Sequence, residues 1–202
     1  MTLTTQVPLS VGSQGTWTVS SGAMIDALQS LNGEYAISPA ASNNMYVTSP
    51  SFASIVQSDT IQSVTIRVRA RTGNVGQASQ ITVGYYTLAG GSIMYNDDPG
   101  SGYTSVSSDG SWAWYDFVYT VNPSTGLAWQ VSGLPGGGEW TRVYLRYYAP
   151  GLVHVDRMEI VVDHIGSGDP GNVLNTSAGV YVGSTSAIRV YKGSAIVWGP
   201  AP

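Results

Sequence analysis

The segment Ile61 to Arg71 reads as the strongest strand, strictly alternating from Val64 onward. Val64, Ile66, Val68 and Ala70 fall on one parity, and Thr65, Arg67, Arg69 and Arg71 on the other. Side chains of a β-strand point to opposite faces with period two, so this run predicts a strand with one face in a core and one outside. The pattern recurs. Ile81, Val83 and Tyr85 alternate, as do Ala113, Tyr115, Phe117, Tyr119 and Val121. Val143, Leu145 and Tyr147 alternate against Arg142, Tyr144, Arg146 and Tyr148. Between 153 and 163 the apolar parity switches, from Val153 and Val155 to Met158, Ile160 and Val162. One extra residue at Asp156-Arg157, a β-bulge, accounts for the switch. Six or more alternating strands without helices between them predict an all-β antiparallel sandwich, a jelly roll. The buried set is Val64, Ile66, Val68, Ile81, Val83, Phe117, Leu145, Ile160 and Val162.

The remaining segments are weaker. Residues 1–20 are rich in Thr, Ser and Gly, with one strand-like run from Thr16 to Ser20. Ile25, Leu28 and Leu31, spaced by three, predict the one helix, over 22–32. Met45 to Thr48 reads as a short strand closed by Pro50. Two connections, 89–111 and 122–140, are long and polar. A break at Gly166-Ser167-Gly168-Asp169-Pro170-Gly171 divides a body, 1–171, from a short β-repeat appendage, 172–202. In that appendage Val180-Tyr181-Val182-Gly183-Ser184-Thr185 is echoed by Val190-Tyr191-Lys192-Gly193-Ser194-Ala195, which runs on to Trp198. Each copy reads as strand, tight turn, strand. Such a short repeat cannot bury a face alone and needs a neighbour.

At 202 residues the chain can hold one sandwich with a real core. Charged residues are only 10% of the chain, against about 25% in ordinary globular proteins. Such a surface suits a protein packed among neighbours or exposed to a harsh medium. The net charge of −4 argues against nucleic-acid binding. No run approaches the ~20 apolar residues of a membrane helix. The N-terminus has no basic n-region or apolar h-region, so no signal peptide is expected. The chain has 0 cysteines, which removes thiolate chemistry and disulfides.

The doubled Val-Tyr-x-Gly-Ser-Thr/Ala unit ending at Trp198 resembles the short Tyr-x-Gly-Ser-Thr repeats that often end phage minor tail and related virion proteins. The order from Ile61 to Asp163 is similar to that of jelly-roll virion proteins of phages: an Arg/Val-rich strand, then Asn122-Pro123-Ser124-Thr125-Gly126-Leu127-Ala128-Trp129, then a closing strand. The resemblance covers about the last two-thirds of the chain. It implies a structural component of a phage particle, a minor tail or fibre-associated protein or a head-decoration protein. It supplies no catalytic residue. The expected partners are other virion proteins, with a homo-oligomer in the particle, and a host surface glycan is a further candidate. The implied location is the virion, after synthesis in the host cytoplasm.

The site candidates follow from chemistry. Trp112 and Trp114 share a face opposite Ala113, Tyr115 and Phe117. Two indoles on an outer face suit a protein interface or a covering loop, and also a sugar-stacking platform. The alternative function is therefore a carbohydrate-binding module using Trp112 and Trp114. Arg67, Arg69 and Arg71, with Tyr144, Arg146 and Tyr148, would form one Arg/Tyr stripe if their strands share a sheet, and such residues are enriched in interfaces. Tyr181, Tyr191 and Trp198 are the interface candidates of the repeat. Asp97 and Asp98, with Asp109 or Asp116, could offer oxygens to Ca²⁺. Calcium wants six to eight, however, so a solvated turn is the simpler reading. His154 and His164 lie over ~30 Å apart along one extended strand and cannot share a metal, which leaves them as strand-surface histidines beside carboxylates. No cofactor, no metal site, no nucleophile–base pair and no phosphate loop is expected, so the protein reads as a non-enzyme.

Overall fold

The computed structural model describes residues 2–39, 44–49, 51–87, 103–123, 125–134, 141–148 and 151–166, and, towards the C-terminus, 174–176, 179–182, 185–186, 190–192 and 195–198. The body strands are β1 (Thr2–Gln6), β2 (Ser10–Ser13), β3 (Thr18–Val19), β4 (Ala36–Ile37), β5 (Asn44–Thr48), β6 (Thr60–Thr72), β7 (Ser79–Thr87), β8 (Thr104–Val106), β9 (Ala113–Tyr119), β10 (Thr141–Tyr148) and β11 (Val153–Ile165). One helix, α1 (Met24–Gln29), lies between β3 and β4.

Two antiparallel sheets form the body. One has the order β3-β4-β11-β6-β9, with β1 beside the far half of β11; the other has the order β2-β5-β10-β7-β8. Numbered one to eight along the chain, β4 to β11 fall as 1-8-3-6 in the first sheet and 2-7-4-5 in the second. That is the double Greek key of a jelly roll. The chain is thus an all-β antiparallel sandwich, as its alternation predicts.

The core lies where the sheets face each other. Val64, Ile66 and Val68 of β6, Phe117 of β9 and Met158, Ile160 and Val162 of β11 are buried, as are Met45 and Val47 of β5 and Ile81 and Val83 of β7. Of the expected core, only the Leu145 side chain lies outside the described residues. The Tyr119 hydroxyl donates to the Val83 carbonyl at 3.2 Å and ties the sheets together. Behind it, the Trp129 indole donates to the Tyr119 carbonyl at 2.8 Å. The Asn122–Trp129 segment is therefore a closing turn. Asn122 N–H donates to the Leu127 carbonyl at 2.8 Å, and Gly126 sits at φ +69°, a left-handed conformation that glycine adopts without strain.

The bulge falls where the parity switch puts it. Val155 pairs with Ala70 and Arg157 with Arg69, which leaves Asp156 as the extra residue. The helix is shorter than its spacing predicts. It ends at Gln29, its buried face is Met24, Ala27 and Leu28, and Leu31 is 58% exposed. Ser30 turns extended, so the chain leaves the helix before Leu31 can join its face. The sequence also under-reads the N-terminus. β1 and β2 carry little apolar alternation because both sit along sheet margins, where ladder hydrogen bonds hold them. Trp17 is almost wholly buried.

In the appendage, β12 (Leu174–Thr176), β13 (Gly179–Val182) and β14 (Thr185–Ser186) form a three-stranded sheet, and β15 (Val190–Lys192) and β16 (Ala195–Trp198) form a hairpin. Val182 pairs with Thr185, and Lys192 with Ala195. The expected Gly-Ser turns, Gly183-Ser184 and Gly193-Ser194, lie outside the described residues.

Candidate binding face

Among the described residues the chemistry gathers on the outer face of the first sheet, in two halves. The first half is filled. Arg67, Arg69 and Arg71 project outward from β6, as their parity requires. Each guanidinium covers an aromatic ring. Arg67 lies 4.7 Å from the Trp114 ring centre, Arg69 5.4 Å from Trp112, and Arg71 4.7 Å from Trp112 and 5.4 Å from Tyr35. Tyr35 meets Trp112 edge-on at 6.1 Å and stacks on His154 at 4.6 Å. Guanidinium over indole is a favourable stack, worth about 0.5–2 kcal/mol depending on desolvation. The two tryptophans are therefore not a bare platform: their sheet's own arginines lie over them. Trp112 is half-buried and Trp114 is 37% exposed.

Ion pairs run beneath these stacks. Arg69 Nη1 donates to Asp156 Oδ2 at 2.8 Å, so the bulged residue serves as the counter-ion. Burial pushes the Asp156 carboxyl up, and Arg69 opposes that shift. Arg67 Nε donates to Asp116 Oδ1 at 2.8 Å, and its Nη1 lies 3.8 Å from Glu159. Glu159 also takes Arg157 Nε at 3.1 Å, and Arg157 Nη1 donates to the Gln29 carbonyl at the end of α1. The Arg67–Asp116 pair is partly in water, so it contributes only about 0–1 kcal/mol.

The second half is open. A groove of about 300 Å³ crosses β1, β11, β6 and β9. The ladder sets its residues in rows. Leu3 pairs with Asp163, which pairs with Ser63. Thr5 pairs with Val161, which pairs with Thr65. Arg67 and Asp116 close the end nearest Trp114. Asp163 Oδ1 is shielded from solvent and has no hydrogen-bond donor. Sequence reasoning missed this groove. Leu3 and Thr5 lie in a run with little strand pattern, and only pairing with β11 brings them beside Asp163.

Several expected residues stand elsewhere. β10, which carries Tyr144, Arg146 and Tyr148, belongs to the second sheet, so these residues do not continue the Arg67, Arg69, Arg71 stripe on β6. The condition for a joint stripe fails because the jelly-roll wrap sends these two strands to opposite layers. The side chains of Tyr144, Arg146, Tyr148, Tyr181, Tyr191 and Trp198 lie outside the described residues, as do Asp97 and Asp98. Asp109 accepts the Ser111 N–H at 2.7 Å within its turn, and that bond holds its carboxyl below the usual range. Asp116 is occupied by Arg67. Among the described residues no group of three His, Asp or Glu could hold a metal ion.

The histidines differ from expectation too. His164 is not on the surface. It continues the inward parity of Ile160 and Val162 and is 5% exposed. Its Nε2 lies 3.0 Å from the Thr4 hydroxyl, and its Nδ1 lies 3.2 Å from Asp59 Oδ2 but off the hydrogen-bond direction. His154, half-buried on Tyr35, has its pKa lowered from 6.5, first by burial and then by Arg71. A depressed histidine gives stability that is fully present above its unfolded pKa and is lost as pH falls through the folded one. Acidification below about 6.5 should therefore weaken the wild-type fold more than that of His154→Phe, which keeps the stack on Tyr35 without the proton. Thermal melts of both proteins across that range test this, and parallel profiles would refute it. The raised pKa of Asp156 has the opposite sign, but both proteins share it, so it cancels.

Fold and face together describe a jelly-roll domain with a polar surface groove beside an arginine-capped aromatic row. No protein-family model matches the chain. No curated protein matches it either. Among solved structures it is similar to the CBM22-1 xylan-binding domain of Xyn10C from Paenibacillus barcinonensis, at 14% identity and a TM-score of 0.42, covering 78% of this chain and 92% of that one. It is similar to a family 11 carbohydrate-binding module from Clostridium thermocellum in complex with a mixed-linked tetrasaccharide, at 12% identity and a TM-score of 0.36, covering 81% and 88%. It is also similar to a structure of infectious bursal disease virus, Gt strain, at 10% identity and a TM-score of 0.37, covering 84% of this chain and 33% of that one. At these scores the likenesses carry no inference about ligand or role.

Proposed function

We propose that this protein is a non-enzymatic structural component of a phage particle, a minor tail or fibre-associated protein, with head decoration as the alternative placement. The observation that carries the reading is the terminal repeat. Its two copies pair only with nearby strands, β13 with β12 and β14 and β15 with β16, and neither joins a sheet of the jelly roll among the described residues. Short hairpins left outside a sandwich keep unpaired strand edges, and such edges accept strands from a neighbouring chain. The low charge content agrees with a protein packed among others, either other virion proteins or copies of itself. Quantitative mass spectrometry of gradient-purified particles tests the reading. A low, fixed copy number supports a tail position, and a high one supports decoration. Absence from particles that contain the other structural proteins would refute both.

A second reading, a carbohydrate-binding module that uses Trp112 and Trp114 to stack on sugars, has equal support: both indoles belong to the outward face of the first sheet, with Trp112 half-buried and Trp114 37% exposed. The guanidiniums of Arg67, Arg69 and Arg71 lie over the same two rings, so a stacked sugar would share the rings with them or displace them.

A further inference from the structure

We propose that the groove over Val161 binds a neutral saccharide, independently of the terminal repeat and of the two tryptophans. The lining defines the ligand. Thr5, Ser63 and Thr65 bring three hydroxyls, each both donor and acceptor, to a cleft of about 300 Å³. That volume is at the lower end of small-ligand pockets, about 300–1,000 Å³. Val161 and Leu3 add aliphatic surface on which the C–H face of a pyranose can rest. Leu3 is 65% exposed, an apolar side chain held in water at the groove's edge.

The fixed charges exclude other occupants. Arg67 is already neutralised by Asp116 at 2.8 Å and approached by Glu159 at 3.8 Å, and Asp163 adds a further negative charge. A phosphate, a sulfate or an acidic sugar would meet net negative charge. A divalent cation lacks ligands, since no three acids or histidines converge among the described residues. A peptide strand would find no backbone partner on the groove floor, because β11 and β6 are paired on both sides there and their N–H and C=O groups are spent in the ladders. A ring of hydroxyls needs only what the groove has: side-chain donors and acceptors above an apolar floor. Asp163 Oδ1, which has no donor, gains one from a ligand hydroxyl after a small rotation of its carboxylate.

The test uses the full chain on a glycan microarray carrying neutral, sialylated and sulfated oligosaccharides, followed by calorimetry with the best neutral probe. Binding of a neutral oligosaccharide is expected. Thr65→Tyr, which fills the groove, and Thr5→Tyr, on the exposed marginal strand, should each weaken it by at least about tenfold. Ser105→Tyr, on the other sheet, should leave affinity within about twofold. Melting temperatures check that each variant folds, and Thr5→Tyr keeps the test valid if Thr65→Tyr does not. Binding unchanged in the folded groove variants would overturn the proposal. So would binding confined to acidic glycans, or no neutral glycan bound at all. Because calorimetry uses the free protein, a negative result there leaves the particle assignment intact.

Discussion

Phe117→Ala should lower the unfolding free energy by about 3–5 kcal/mol. Phe117 is 1% exposed, pairs across the ladder with Ile66 and faces the second sheet. Removing its ring leaves a cavity in the middle of the sandwich, where β6 and β11 are locked by long ladders and cannot collapse to fill it. For a chain of this length the loss corresponds to a fall in Tm of about 6–20 °C. Urea titration and thermal melts measure it. Val118→Ala, one residue on, points outward and should change stability by less than about 0.5 kcal/mol. If the two variants behaved alike, or if Phe117→Ala cost less than about 1 kcal/mol, the assignment of faces on β9 would be wrong.

Deleting residues 172–202 should leave a folded jelly roll that no longer enters particles. Among the described residues, every ladder partner of β1 to β11 lies within residues 2–165, so the two body sheets do not draw on the appendage. Circular dichroism and a cooperative melt would report the retained fold. Immunoblots of purified particles, made with the truncated gene supplied in place of the full one, would report incorporation. Normal incorporation would make the repeat dispensable. Failure to fold would place the repeat in the body's core and move the module boundary away from Gly166–Gly171.

The two expectations rest on different kinds of information. The faces of β6, β9 and β11 can be read from the chain because side-chain direction alternates locally, with period two, whatever the strand pairs with. The bulge at Asp156 is readable for the same reason, since one extra residue shows as a change of parity. α1 is shorter than the spacing of Ile25, Leu28 and Leu31 predicts, because spacing by three does not report where the backbone turns extended.

What the amino-acid sequence determined by itself is therefore the class: an antiparallel β-sandwich, the inward faces of its long strands, and the bulge at Asp156. Only the tertiary structure decided the neighbours. It put β6 and β10 in opposite sheets, so that the Arg67, Arg69, Arg71 row and the Tyr144, Arg146, Tyr148 row part company. It laid those arginines over Trp112, Trp114 and Tyr35, which turned an apparent platform into a capped one. It brought Leu3 and Thr5 against Asp163 and Val161, about 160 residues away along the chain, and so made the groove. The physical reason is that alternation is a property of each strand's own backbone, whereas the choice of partner strand depends on burying all the apolar faces at once.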